Sequence, residues 1–516
     1  MLALLSGVLL FLSFPSFGHP AFAWIALLPL LLATAHASSA IQAFRRGLLT
    51  GVVHFIGTIY WIPRVLEDFG GLSPAVSWGV HLLLVGYLAL FPALFAVAIW
   101  MFCRRFGAAA VVAAPAVWVT SELGRIYLFT GFPWELLGYS QASVLWVAQL
   151  ASVVGVLGVS ALVASLSGSL AYLVLAGRRR AGGVLAGTVA LIVVCLVFGN
   201  LRVQSDKWVD AGIPLRIGVV QGNIAQDDKW DPALRDMILD KYLALTHRAV
   251  DEGASLVVWP EAATPFAFQT DSRSERIRHL ARERGVHLLL GTTDVIWDDE
   301  PRYYNAAVLV DSRGETAGVY HKQHLVPFGE YVPMRDLFSF VSPLVENAGG
   351  FSAGDAPVTL IMGDQTIGVA VCYEIIYPGL VRDFVTGGSR LLTTVTNDAW
   401  YGRTSAPYQH FQQATMRAIE QGRFLVRAAN TGISGVIDPY GRVIAQTALF
   451  QDDVLTTNVR WIEDLTLYTR YGDLLAFGCG IMTLALLMVV GVTQGIRPGR
   501  RRATDSMEPG RRRGED

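Results

Sequence analysis

The sequence predicts a multi-pass α-helical membrane domain, then an α/β layered domain, then one closing membrane helix. Three observations carry this. Long apolar runs fill the chain from Met1 to about Asn200 and return from Leu474 to about Val492. Between them, from about Pro214 to Trp461, charge density is ordinary and strand-like stretches alternate with helix-like ones. Arginine clusters follow every second apolar run.

The apolar runs come first. Hydrophobic residues make up 53% of the 516 residues, above the usual globular share of about 45–50%. Mean hydropathy is +0.42. A bilayer core takes about 20 mostly apolar residues per helix. By that measure there are about eight spans: 1–16, 22–39, 47–63, 77–102, 108–124, 145–176, 183–200 and 473–494. Pro15, His19 and Pro20 interrupt the first two. Residues 1–16 lack a basic leading region and a second apolar run follows at once, so they read as a span rather than a cleaved signal peptide. The expected division is 1–205 for about seven membrane helices, 213–462 for the α/β domain, 470–495 for the last span and 496–516 for a disordered cytoplasmic tail.

Arginine placement predicts orientation. Arg45 and Arg46, Arg104 and Arg105, Arg178 to Arg180, and Arg497 with Arg500 to Arg502 all follow even-numbered crossings. One side therefore holds them all, and the positive-inside rule makes it the cytoplasm. Both termini are then cytoplasmic and the α/β domain lies outside, which in a bacterial inner membrane means the periplasm. A net charge of -1 gives no reason to expect nucleic acid. No Cys and His cluster has zinc spacing, so no metal or other cofactor is expected.

Within the α/β domain, strands are expected at 215–220, 255–259, 286–291, 304–311, 315–321, 366–371 and 390–396. Helices are expected at 232–252, 272–285, from Pro378, and at 406–422, with a hairpin over 432–447 turning at Asp438–Gly441. Three polar residues sit at strand ends. Glu261 follows Leu256–Pro260, Lys322 follows Gly318–His321, and Cys372 follows Ile367–Val371. A thiol attacks as thiolate and needs a base, which a carboxylate supplies. An ammonium can hold the oxyanion that follows, with the backbone N–H after the Cys as second donor. A lone Cys at a strand end is equally a small buried hydrophobe. The compartment tilts the balance. Cys103, Cys195 and Cys479 belong to spans or their ends, so Cys372 has no local disulfide partner in an oxidising space.

At these residues the chain resembles a known family. Trp259–Glu261, His321–Lys322 and Val371–Glu374 are similar to the Glu–Lys–Cys set of the nitrilase superfamily, which implies an α-β-β-α sandwich. Val220–Ile224, Tyr320–Pro333, Thr396–Gly402 and Gly131–Trp134 resemble, more closely, the bacterial apolipoprotein N-acyltransferases. The resemblance covers nearly the whole chain and implies a reaction. Cys372 takes an acyl group from a phospholipid donor as a thioester. The α-amine of the diacylglyceryl-modified N-terminal Cys of an apolipoprotein then receives it, the last step of lipoprotein maturation. Glu261 serves as base and acid, while Lys322 and the N–H of Tyr373 hold the oxyanion. Glu330 and Glu374 support the site, and Trp230, Trp400 and Tyr401 line the acyl or lipid pocket. For these aromatics ordinary packing is an equal reading, and for Glu330 a structural ion pair with an Arg. Glu122, Arg125 and Glu135 read as solvated span ends, with headgroup contact as the alternative. Nothing in the sequence asks for more than a monomer. Two rival classes are a membrane-anchored nitrilase-type amidase and a transporter or scaffold with an inert periplasmic domain. The spans' few charges speak against transport.

Overall fold

The computed structural model describes residues 1–327, 329–331 and 350–495. The expected tail 496–516, and Phe328, Val332 and Pro333 of the long motif, lie outside the described residues.

Among the described residues five helices are long and apolar enough to cross a membrane: Pro74–Phe106, Ala108–Tyr127, Ala151–Ala176, Arg178–Asp210 and Leu474–Gly491. A sixth is reached if Ala40–Thr58 and Ile62–Asp68, bent by 49°, count as one. Pro63 explains the break, because a proline in the first turn suits a new helix better than a continuing one. The first two apolar runs form shorter helical stretches, Leu2–Phe11 and Pro20–Ala35. The run 145–176 is not one rod. It breaks after Leu145–Ala148, and Gly155 inside Ala151–Ala176 has φ +70°. A Cβ on Gly155 would lie 2.5 Å from the Tyr468 ring, so only glycine lets the short helix Leu467–Tyr471 dock there.

Among the described residues the α/β domain contains two six-stranded sheets. The first contains β1 (Ile213–Gln221), β2 (Leu256–Val258), β3 (His287–Trp297), β4 (Pro301–Val310), β5 (Thr316–His321) and β12 (Asp453–Trp461), in the order β12-β1-β2-β3-β4-β5. The second contains β6 (Leu360–Met362), β7 (Gln365–Val371), β8 (Leu391–Thr396), β9 (Leu425–Ala429), β10 (Gly435–Ile437) and β11 (Val443–Gln446), in the order β11-β10-β9-β8-β7-β6. Strands β1, β2 and β3 are mutually parallel, as are β7, β8 and β9.

Side-chain alternation explains the layering. Ile217, Val219, Leu256, Val258 and Leu289 share one core with Ile367, Val369, Leu391 and Val395 of the facing sheet. Their neighbours Val220, Val257, Leu288 and Leu290 point outward onto Ile238, Tyr242, Ile277 and Leu280 of helices Arg235–Asp251 and Ser274–Arg284. Helices Pro378–Thr386 and Ala406–Gln421 pack against the second sheet through Val381, Phe384, Ala414 and Ala418. The result is the α-β-β-α order expected above. Sequence reading overlooked β6, β9 and β12 and stopped β3 six residues early. Short strands such as β6 carry too little periodicity to stand out, and β12 holds Thr456, Thr457, Asn458 and Arg460 that blur its alternation.

Candidate active site

Each of the three strand-end residues has a local reason for its place. After β2, Trp259 donates to the Leu289 carbonyl, Gly291 donates to the Pro260 carbonyl (3.2 Å), and Ala263 donates to the Gly291 carbonyl (2.8 Å). The fit is tight because position 291 lacks a side chain. A Cβ there would lie 2.5 Å from the Cα of Glu261. Lys322 follows β5 directly, donates to the Asn305 carbonyl and accepts from Gly354, both at 2.8 Å. Cys372 follows β7 and opens the 3-10 turn Cys372–Ile376 with φ +54°, in left-handed territory that a side-chain-bearing residue enters at some cost. At the start of such a turn the N–H groups, Tyr373 among them, lack intrahelical acceptors.

Glu261 and Lys322 thus come from one sheet and Cys372 from the other. Lys322 Nζ lies 2.9 Å from Glu330 and 3.8 Å from Glu261 Oε1. Asn305 Nδ2 donates to Glu261 Oε1 (2.7 Å) and to Glu330 Oε1 (2.8 Å). Glu330 Oε2 accepts from the Val326 N–H at 2.8 Å. Among the described residues Glu261 Oε2 is buried with no hydrogen-bond partner, so it is the oxygen open to a proton. Exposure is 1% for Lys322, 7% for Glu261 and 6% for Cys372. Burial, with Glu261 adding to it and Lys322 opposing it, pushes the Cys372 thiol above its usual range. Burial acts against the Lys322 ammonium, but Glu330 and then Glu261 outweigh it and hold the group above the usual lysine range. The resting arrangement is a neutral thiol beside a free carboxylate oxygen and a fixed cation. It can move the thiol proton as the sulfur attacks, and it can stabilise the negative oxygen that results.

Supporting groups hold the turn. Glu374 Oε1 accepts from Tyr320 Oη (2.8 Å), Gln323 N (2.7 Å) and His324 N (3.1 Å), and Oε2 accepts from Val371 N (2.7 Å). Burial lifts its carboxyl to about 7, against the pull of Lys322 and these N–H donors. Thr396 Oγ1 lies 3.2 Å from Cys372 Sγ and 3.0 Å from Asp398 Oδ1. Arg427 Nη2 donates to Asp398 Oδ2 at 2.7 Å. His410 Nε2 lies 3.2 Å from the Cys372 carbonyl, an acceptor for an Nε2–H. Nδ1 lies 3.1 Å from both Asp398 Oδ1 and Arg427 Nη2, and burial, then Arg427, lower the ring below the usual histidine range while Asp398 opposes them.

The aromatic expectations divide. Tyr373 faces Phe132, with centroids 6.5 Å apart. Trp400 meets Phe69 edge-on at 5.0 Å, and Tyr401 meets Trp61 at 4.9 Å and Trp134 at 6.2 Å. Gln409 Oε1 accepts from both Trp61 (3.3 Å) and Trp134 (2.8 Å). The site is therefore walled by aromatics of the helical region. Trp230 stands apart, 46% exposed, while its neighbour Lys229 is buried and donates to the Glu261 carbonyl at 2.8 Å.

Two expectations need correction. Glu330 pairs with Lys322, not with an arginine. Glu122, Arg125 and Glu135 are not solvated span ends. Glu122 accepts from Trp118 (3.0 Å) and Leu137 N (2.6 Å), Arg125 donates to the Trp134 carbonyl, and Gln413 donates to Glu135 (3.3 Å). All three are buried, Glu122 among groups of the helical region, Arg125 against the loop that carries Trp134, and Glu135 against Gln413 of the α/β domain. Sequence reading missed Asn305, Thr396, Asp398, His410, Arg427 and Lys229. Asn305 carried a signal, a lone amide in the apolar strand 304–310, and Asp398 lay within a motif without an assigned role. Arg427 and His410 carried none that spacing could expose.

Comparison with known proteins adds the family. Residues 216–461 match the family model Carbon-nitrogen hydrolase, and residues 6–169 match the Apolipoprotein N-acyltransferase N-terminal domain. An apolipoprotein N-acyltransferase of Geobacter metallireducens is 43% identical over 484 residues, 93% of this chain and 92% of its own. Those of Methylococcus capsulatus and Vibrio cholerae are 35% and 34% identical, covering 93% and 92% of this chain and the same shares of their own. An amidase from Nesterenkonia sp. superposes with a TM-score of 0.39 at 23% identity, over 52% of this chain and 96% of its own. A sheet sandwich that assembles Glu261, Lys322 and Cys372, aromatics beside it from the segments that connect the apolar helices, and relatives matched along nearly the full length lead to one assignment: the chain belongs to the apolipoprotein N-acyltransferase family.

Proposed function

We propose that this protein transfers a fatty acyl chain from a phospholipid to the α-amine of the diacylglyceryl-modified N-terminal Cys of apolipoproteins. The observation that carries it is the placement of Glu261, Lys322 and Cys372 beside aromatics from the segments that connect the apolar helices, Trp61 and Phe132 among them. In the first half-reaction Glu261 Oε2 takes the thiol proton as Cys372 Sγ attacks the ester carbonyl. Lys322 and the Tyr373 N–H hold the oxyanion. The intermediate collapses, Glu261 returns the proton to the departing glycerol oxygen, and a thioester and a lysophospholipid remain. In the second, the amine attacks the thioester, Glu261 takes its proton, the C–S bond breaks as the amide forms, and Glu261 returns the proton to the departing Cys372 sulfur, restoring the thiol and the carboxylate. Tyr401, Trp400 and Tyr373 would flank the acyl chain, Trp230 the entrance, and Glu330 and Glu374 would hold Lys322 and the Cys372 turn.

In this reading the chain crosses a bacterial inner membrane about eight times and acts as a monomer without cofactor. Residues 1–205 and 470–495 lie in the bilayer, 213–462 form the periplasmic catalytic domain, and both termini are cytoplasmic. The arginine clusters support this orientation. Cysteines introduced at exposed Ser272 and Arg179 test it in intact inner membranes. An impermeant thiol reagent applied from the periplasmic side is expected to label the first and spare the second. The reverse pattern would overturn the orientation.

The second reading, an amidase, shares the three residues and differs in the second nucleophile. A membrane-held amine gains effective concentration by positioning, on the order of 10⁵ M in well-oriented cases. Water has no such advantage where aromatic side chains exclude it. Pure protein given labelled phospholipid alone is expected to retain a hydroxylamine-sensitive label, discharged within one turnover by a peptide with a diacylglyceryl-Cys N-terminus. Continuous fatty-acid release without retained label would assign the protein to the hydrolases.

A further inference from the structure

The loop 222–231, between β1 and helix Arg235–Asp251, bridges the two sheets at their catalytic ends. On one side it is tied to the second sheet. Asn223, at φ +49°, donates its N–H to the Asn430 carbonyl at 2.9 Å. Ile224 N donates to Asn430 Oδ1 (2.9 Å), Asn430 Nδ2 donates to the Ile224 carbonyl (2.8 Å), and Asn397 Nδ2 donates to Gln226 Oε1 (2.7 Å). Asn397 and Asn430 directly follow β8 and β9. On the other side Lys229 reaches the first sheet, its Nζ donating to the Glu261 carbonyl at 2.8 Å.

That contact has an unusual setting. Lys229 is 1% exposed, and among the described residues the Glu261 carbonyl is its one hydrogen-bond acceptor. A buried ammonium held by a neutral carbonyl is costly, and burial lowers Lys229 to about 8 even though Glu261 and Cys372 draw it upward. The chain around Glu261 explains why it is kept. Pro260 and Ala263 are clamped by Gly291, and Ala262 has φ +45°. The carbonyl of Glu261 itself, between these points, is bonded by Lys229.

We propose that Lys229 is a positioning residue: by holding the Glu261 carbonyl it sets the direction of the Glu261 carboxylate toward Cys372 and couples that direction to the seating of the loop that carries Trp230. The proposal rests on Glu261 being the base for the thiol. The charged and titratable groups that interact with Cys372 include Glu261, Lys322, Asp398, Tyr401 and Lys229 itself, and those that interact with Lys229 include Glu261 and Cys372.

The test uses the full-length protein in detergent and two readouts. The first is the pH profile of Cys372 alkylation by iodoacetamide, followed by mass spectrometry of the Cys372 peptide. The second is acylation by a labelled diacyl phospholipid. Lys229→Met is expected to slow both by about 10- to 100-fold, with KM for the phospholipid unchanged, since a small misplacement of a base is enough for such a loss. Lys229→Gln, which keeps an N–H donor, is expected to recover most of the loss. Thermal unfolding is followed in parallel, and Lys229→Ala replaces the Met variant where that does not fold. Wild-type alkylation rate and pH profile in Lys229→Met would overturn the proposal. So would equal loss in the Gln and Met variants with unchanged unfolding. A wild-type protein that takes no acyl group from phospholipid would count against the acyltransferase reading alone, because the alkylation profiles still decide the role of Lys229.

Discussion

Cys372→Ala is expected to abolish acyl transfer, by about 10⁴-fold or more, while the protein expresses and unfolds almost as the wild type does. The chemistry has no substitute nucleophile at this position, since the side chain nearest to Sγ by hydrogen bonding is the alcohol of Thr396. The structural cost is small. Cys372 sits at a strand end rather than in the middle of the shared core, and removing one sulfur leaves a cavity worth on the order of 1 kcal/mol. Its φ of +54° is no harder for Ala than for Cys. Cys372→Ser should be nearly as inactive, because a carboxylate is too weak a base to activate an alcohol. The measurement is retained label from phospholipid, with thermal unfolding as control. Transfer by a well-folded Cys372→Ala protein would end the thioester mechanism.

Lys322→Met is expected to remove activity and stability together, and the two losses can be separated. The ammonium lies 2.9 Å from Glu330 and 3.8 Å from Glu261, all three buried. Its loss leaves two carboxylates joined through Asn305 with no cation between them. Removing one partner of a buried ion pair costs about 3–5 kcal/mol, and losing an oxyanion donor lowers the rate by about 10²–10³-fold. Adding Glu330→Gln to Lys322→Met should restore much of the stability and none of the rate. Recovery of both would make Lys322 a structural residue. The pH sign follows from the raised ammonium. A group whose folded pKa is raised contributes stability that is whole below its unfolded value, about 10.4 for lysine, and is lost as pH rises through the higher folded value. Between pH 5 and 9 Lys322 therefore stays charged, and an alkaline limb of the wild-type pH–rate profile in that window must come from another group.

The parts of the site legible in the sequence share a property. Glu261, Lys322 and Cys372 each terminate an apolar run, so strand periodicity and a chemical mismatch at its end mark them together. Tyr401 and Trp400 stood in a recognisable motif, but only the packing of Trp61, Trp134 and Phe69 shows what they face. Lys229, His410 and Arg427 carried no such mark. Lys229 lies in a loop without periodicity, His410 inside a helix, and Arg427 inside a buried strand that sequence reading overlooked.

The amino-acid sequence alone determined the order of apolar and α/β segments, the strand ends that hold the candidate reactive groups, and the expectation of a two-sheet sandwich. These depend on local quantities: hydropathy over a window, alternation along a strand, and residue types at its end. Tertiary structure decided the rest. It decided that β12 returns to pair with β1, that the run 145–176 breaks to admit Tyr468, and that Glu122, Arg125 and Glu135 are covered rather than solvated. It also decided that one lysine bonds Glu330 while another bonds the backbone of Glu261. Each of these joins groups far apart in the chain, and the free energy that selects among such pairings comes from burial and hydrogen bonding across the assembled layers, which no local window contains.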